Sequence, residues 1–317
     1  MKTINDNEKC TRTSKKEKYR VSNWPEYNRA LIKRGSLSLW IPHNIADWWY
    51  AGDKNTYSDK AIETILTLKA WYKLPLRATV GFLESVFTQA GIPLRVPDYT
   101  TLSRRAQKLS ITLVKRTKET TDLILDSTGV KVYGEGEWKV RKHGWNYRRT
   151  WKKIHIGMDS LGEIRAVVVT ESSVHDNVAV PAILNQEKTP ITDFYGDGAY
   201  DSRSIYKQLQ TRGVQGFHIP PQTNAKIWIH GNKEGDPHPR DENLRAIRKS
   251  TRKKWKEESG YHTRSLGETI MYRYKTTFGQ HLSFRKESSQ NTEIINKCNI
   301  LNVFHHLGTP SSYKVTY

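Results

Sequence analysis

Tyr261-His-Thr-Arg264-Ser-Leu-Gly-Glu268-Thr-Ile-Met-Tyr-Arg-Tyr-Lys275 is the stretch on which the reading of this chain turns. Wound as a helix at about 100° per residue with Leu266 at the origin, it places Ile270, Met271, Tyr274 and Phe278 between about 40° and 140°. Tyr261, Arg264, Glu268 and Lys275 fall between about 160° and 220° on the same wheel. One face can pack on a sheet. The other presents a carboxylate flanked by two cations and a phenol. That polar line suits a metal-bound phosphate, the carboxylate serving a cation and the Arg and Lys serving phosphate oxygens. On these residues alone it also reads as a solvated helix face with an Arg264–Glu268 pair at i, i+4.

Upstream, two more carboxylates stand out. Asp126 interrupts Leu123-Ile-Leu-Asp-Ser-Thr-Gly-Val130, a run otherwise patterned as a strand. A carboxylate there needs a partner or a metal. Asp197 sits where Phe194-Tyr195 gives way to Gly196-Asp-Gly198, at the end of a short strand. Between them, Ile154–Met158 and Ile164–Thr170 read as strands joined by the turn Asp159-Ser-Leu-Gly162. Helices are expected over about 176–185 and 202–211, another strand over Val214–Ile219, basic helix over 240–258, and a short last helix over Leu301–Leu307. Three antiparallel strands, then helix, strand, helix, strand and helix, is the order of an RNase H-like mixed sheet, although that order alone fits several α/β folds. In that sheet the first and fourth strands are neighbours, so Asp126, Asp197 and Glu268 can converge. Three hard oxygen ligands suit Mg²⁺ or Mn²⁺, and two such ions can drive in-line displacement at phosphorus. Asp159 and Asp201 read instead as a hairpin residue and a helix N-cap. Glu135 and Glu137 read as loop residues facing solvent or DNA.

The N-terminal part has a different texture. Residues 1–22 form a basic polar arm, and 23–50 are rich in Trp and Tyr. Ser58 is a candidate N-cap for a first helix, Arg77–Gln89 reads as a second, and Tyr99–Leu109 as a third. The third turns Leu102 and Leu109 inward and Arg104, Arg105 and Lys108 outward, as a DNA-reading helix would and as a three-helix bundle without DNA function also would. The expected division is an arm and aromatic segment (1–50), a helical, helix-turn-helix-like DNA-binding domain (51–118), an α/β catalytic domain (119–309) and a tail (310–317).

Composition agrees with a polyanionic partner. Lys and Arg number 52 against 32 acidic residues, a formal charge of +20, and 22 of the basic and 11 of the acidic residues lie in 1–120. Both halves are therefore basic, which points to nucleic acid contacted by both rather than to one charged tail. Two isolated cysteines, Cys10 and Cys298, exclude a disulfide framework or a zinc site and fit a reducing compartment. Neither a secretory signal nor a run approaching ~20 apolar residues is present, so no membrane role is expected.

The ordered blocks Leu125–Trp138, Lys153–Ser160, Tyr195–Asp201 and Tyr261–Lys275, with the N-terminal string Asn23–Trp40, resemble the DDE transposases of bacterial insertion sequences, specifically the insertion-sequence-five group. The spacing Tyr-x2-Arg-x3-Glu-x6-Lys resembles the signature around that family's catalytic glutamate. The resemblance covers about residues 20 to 308. It implies catalysis and metal binding by Asp126, Asp197 and Glu268, and phosphate contacts by Tyr261, Arg264 and Lys275. It further implies binding of terminal inverted repeats, cleavage that exposes 3′-hydroxyls, strand transfer into target DNA, assembly as a dimer on DNA, and a bacterial cytoplasmic, nucleoid-associated location. The short segment over 221–260 leaves no room for a large inserted β-domain. An inactive, transposase-derived repressor and an RNase H-like nuclease without strand transfer are the alternatives. Trp228 and Trp255 read as packing residues or as stacking partners for an unpaired end base.

Overall fold

The computed structural model describes residues 18–52, 56–132, 151–229 and 237–315. Most of the basic arm, and the loop with Glu135 and Glu137, lie outside the described residues. Residues Lys18–Val21 form strand β1, and Trp24–Arg34 form helix α1, with Pro25 in its first turn. Ser58 caps α2 (Asp59–Trp71) as expected, its Oγ accepting the Ala61 N–H at 3.0 Å. Helices α3 (Leu76–Gln89) and α4 (Tyr99–Arg105) follow. Leu83, Phe87 and Leu102 close on Ile62 and Ile65 with Trp49 at their centre. The third helix stops at Arg105 rather than Leu109, and just past its end the Ala106 carbonyl accepts from Thr292 Oγ1 at 2.8 Å.

The sheet has the expected connectivity. Strands β2 (Thr121–Lys131), β3 (Trp151–Met158), β4 (Ile164–Glu171), β5 (Ile191–Tyr195) and β6 (Gly216–His218) lie in the order β4-β3-β2-β5-β6. The first three are antiparallel, while β5 runs parallel to β2 and β6 parallel to β5. Alternation along β2 splits the core. Leu123 and Leu125 face α5 (Asp176–Gln186) and α6 (Arg203–Thr211), whereas Ile124 and Val130 face the opposite layer. Helices α7 (Pro239–Lys249) and α8 (Arg252–Glu258) occupy the basic region before the opening stretch. This arrangement is consistent with an RNase H-like domain.

Further elements depart from expectation. The opening stretch is not one helix: Tyr261–Arg264 is a 3-10 turn, and the α-helix α9 runs from Ser265 to Phe278. The 3-10 turn sets Tyr261 over Arg264 on the same side, yet its ring is buried against Trp255. The last helix is not short. Helix α10 spans Glu287–Leu307, 21 residues. Its apolar periodicity is hidden because Glu293, Asn296, Lys297, Asn299 and Asn302 are all buried. The tail also acquires structure, since Ser312–Val315 form β7, antiparallel to β1. No helix among the described residues is long and apolar enough to cross a membrane.

Those buried asparagines stitch the chain together at i, i+3, i+6. Asn296 accepts from Thr67 of α2 at 2.9 Å, and Asn299 accepts the Val114 N–H at 2.8 Å. Asn302 accepts the Ile164 N–H and donates to the carbonyls of Ile164 and Val114. The helices of 51–118 therefore pack on the same helix that covers the sheet. Asn302→Leu should strand three buried backbone groups, costing about 3 kcal/mol or more at the usual penalty of ~1–3 kcal/mol per unsatisfied group. Urea unfolding measures this, and a midpoint equal to that of the unaltered chain would remove Asn302 from the role.

Candidate active site

Asp126 and Asp197 are brought to one level by the sheet itself. Ile124 on β2 is in register with Tyr195, the last residue of β5, and each aspartate follows two residues later, Asp126 within β2 and Asp197 just past the end of β5. Asp126 faces α9. A Cβ at Gly267 of that helix would lie 2.8 Å from the Asp126 Cβ, so only glycine lets the helix rest on the carboxylate. Asp126 is mostly buried, and its Oδ1 accepts the Ser127 N–H at 2.9 Å. Burial pushes its carboxyl above the usual range. The Ser127 N–H and Arg264 oppose that shift, while the charges of Asp197 and Glu268 add to it. Asp197 opens the 3-10 turn Gly198–Tyr200, its Oδ1 accepting the Ala199 N–H at 2.8 Å.

Glu268 stands apart. Its side chain is 66% exposed and accepts a 2.7 Å hydrogen bond from Arg264 Nη2. The i, i+4 pair is thus formed, as the surface reading of the opening stretch has it. Arg264 does more than pair along the helix, because its Nη1 lies 3.8 Å from Asp126 Oδ1. One guanidinium therefore stands between the first and third carboxylates. Among the described residues no three His, Cys, Asp or Glu side chains stand close enough to hold a metal ion together. The donor chemistry still fits a hard divalent cation: Asp126 and Asp197 share a level, every donor is oxygen, and their mutual repulsion is what a cation would relieve.

The other expected contacts are distributed unevenly. Burial raises the Tyr261 phenol; Arg264 opposes the shift, and Asp197 and Asp126 add to it. The phenol thus belongs to the same electrostatic cluster, from inside the protein. Lys275 is half-exposed on α9, seven residues beyond Glu268, about 10 Å along the axis. Arg105 does not point outward. It donates to Asp59 at 2.6 Å and to the Tyr57 carbonyl at 3.0 Å, fastening α4 to the start of α2. A helix ending at Arg105 turns that side chain back toward its neighbour. Arg104 and Lys108 are exposed. Asp159 is the hairpin residue expected, accepting the N–H groups of Leu161 and Glu163. Asp201 is no N-cap: it is buried in an ion pair with Arg240 at 2.6 Å, and Ser202 precedes α6. Trp255 is buried and Trp228 lies under Arg240, so packing accounts for both.

Sequence reasoning missed Gly267, Tyr200 and Asp176. Tyr200 is buried, and its phenol is held far above its usual range by burial and then by the charges of Asp176, Asp197 and Asp126. Asp176 heads α5 beside Lys153 at 2.7 Å and the buried His155 at 3.3 Å. Its helix-start position reads as ordinary N-terminal acid, so the sequence carries no signal of this cluster.

Comparison with known families now bears on the same residues. Residues 117–303 match a family model described as a transposase DDE domain, and residues 32–135 match a second model with the same description.

Because the folded protein raises the Asp126 carboxyl, its ionisation disfavours folding above that raised value, and the penalty fades as pH falls through it. Asp126→Asn should therefore raise Tm at pH 7, with the gain shrinking toward pH 4. Thermal melts across that range check this; a Tm lowered at pH 7 would show that the ionised carboxylate stabilises the site.

Proposed function

The chain belongs to the DDE transposases, and from that premise we propose that it binds the terminal inverted repeats of an insertion sequence, of the insertion-sequence-five group, and cuts and joins DNA at their ends. The observation that carries this reading is the common level of Asp126 and Asp197 beneath a glycine-backed helix that bears Glu268. In this reading the three carboxylates hold Mg²⁺ or Mn²⁺, two ions. When bound, these ions activate the attacking oxygen and stabilise the leaving one in displacement at phosphorus.

The chain's own side chains supply position and charge. Arg264, which bridges Asp126 and Glu268, is the group that exchanges partners: its guanidinium can grip a phosphate bidentately once Glu268 turns to the ion. Lys275 takes a phosphate further along the strand, and the buried Tyr261 phenol fixes the approach of Arg264. Such positioning accounts for a large part of barrier reduction in phosphoryl chemistry. Water first opens the bond at the element end, leaving a 3′-hydroxyl, and that hydroxyl then attacks target DNA. End recognition is assigned to residues 51–118, with Arg104 and Lys108 toward DNA, and the protein works as a dimer in the bacterial cytoplasm.

Asp126→Asn, Asp197→Asn and Glu268→Gln should each abolish Mg²⁺-dependent end cleavage while leaving specific end binding in place. Arg264→Ala should slow single-turnover cleavage of pre-bound ends by about one to two decades, the loss of one charge-assisted contact. Gel assays on labelled end DNA report both. A carboxylate variant with normal cleavage is not a ligand; wild-type protein that binds ends without ever cutting them is a repressor; cleavage without joining makes the protein a nuclease.

A further inference from the structure

A second polar centre lies away from the carboxylates, where the turn between α2 and α3 meets the segment between α9 and α10. Lys69, Lys297 and Glu293 are all more than nine-tenths buried there. Lys297 pairs with Glu293 at 2.7 Å. Glu293 also accepts the backbone N–H groups of Ser283 and Phe284 at 2.9 to 3.1 Å, so its oxygens are committed. Among the described residues Lys69 donates to the neutral Ser283 Oγ alone, at 2.5 Å, and lies 4.7 Å from the centre of the Phe284 ring. Two buried ammonium groups thus share one carboxylate, leaving a surplus positive charge in a desolvated place. Burial first, and then Lys297, lowers the Lys69 pKa, with Glu293 opposing.

The surplus faces a cavity of about 460 Å³. Exposed Lys73 stands on its lining, and Leu76, Phe278 and Phe284 give it an apolar wall. A buried cation without a full counter-charge is expensive, and an anion is the direct remedy. The volume lies within the range of small-molecule pockets, and an apolar wall beside a few cations suits an anion carried on a flat, apolar body.

We propose that this cavity binds a nucleotide, its phosphate against Lys69 and Lys297 and its sugar or base against Leu76 and Phe284. The nucleotide is either free or one unit of a DNA strand. Lys131, five residues beyond Asp126, exchanges backbone hydrogen bonds with Gln280 and Leu282 beside this cavity. The site is thus about 16 Å along β2 from the first carboxylate. It does not rest on the proposed chemistry.

The test uses calorimetry on the full chain without divalent metal, with dAMP, inorganic phosphate and a short single-stranded oligonucleotide as probes. dAMP should bind more tightly than phosphate. Lys69→Met should weaken it by about 10- to 100-fold, the loss of one charged contact. Lys73→Asn removes a rim charge while keeping a residue that tolerates the left-handed backbone there (φ 55°), and should weaken binding several-fold. It decides the matter if Lys69→Met does not fold. Displacement of dAMP by the oligonucleotide assigns the site to a DNA strand, and its failure assigns it to free nucleotide. No binding of dAMP, equal binding of phosphate and dAMP, or wild-type affinity in Lys73→Asn and in folded Lys69→Met overturns the proposal. None of these results touches metal-dependent cleavage, so the two readings fail separately.

Discussion

A polar group taken out of water must find a partner inside the protein, and most of this architecture answers to that requirement along one helix. Helix α10 is buried on nearly every side, yet it carries asparagines, a glutamate and a lysine into the interior. Each is matched: Asn296 to Thr67, Asn299 and Asn302 to the backbone of the connector before β2, Asn302 to β4, and Glu293 to the backbone at Ser283 and Phe284. An apolar helix of equal volume would bury as much surface but would accept any rotation. The paired amides allow one. They fix the N-terminal helices to the sheet, and they hold β4, hence β3 and β2, in register beneath α9.

The carboxylates follow a different logic. Parallel pairing of β2 with β5 delivers Asp126 and Asp197 to the same level without help from side-chain contacts. Gly267 then lets α9 lie against Asp126, which concentrates negative charge under a helix that begins there. Arg264 answers that charge, and its second nitrogen reaches Glu268. The guanidinium thus offsets the charge of Asp126 and of Glu268 together, while the Glu268 carboxylate faces solvent.

Much of this was legible in the sequence, for identifiable reasons. Strands β2 to β5 announce themselves because alternating or continuous apolar runs end at Gly, Asp and Pro. The Ser58 cap and the apolar face of α9 are local signals, and both are present. The sheet order followed from the succession of elements. What escaped was nonlocal. The length of α10 was hidden because its buried positions are polar, and hydrophobic periodicity cannot see a buried asparagine. The outward reading of Arg105 failed because Asp59, its partner, lies on another helix. The burial of Tyr261 was not visible because Trp255, which covers its ring, lies on the preceding helix. Gly267 looked like a weak helix residue, when its value lies in what it does not cover.

The pairing of β1 with β7 has a consequence for how the chain comes into being. Lys18–Val21 find their strand partner at Ser312–Val315, and Ser22 and Asn23 bond to Ser311 and Thr309. Helix α2, made early, likewise finds Asn296 only when α10 appears. These N-terminal segments therefore gain their partners only when the distant C-terminal segments fold onto them, a contact of high sequence separation. A prematurely terminated product lacks the partners that seat its N-terminal helices against the sheet. The two ends of the described chain are thus held by contacts between residues more than 280 positions apart.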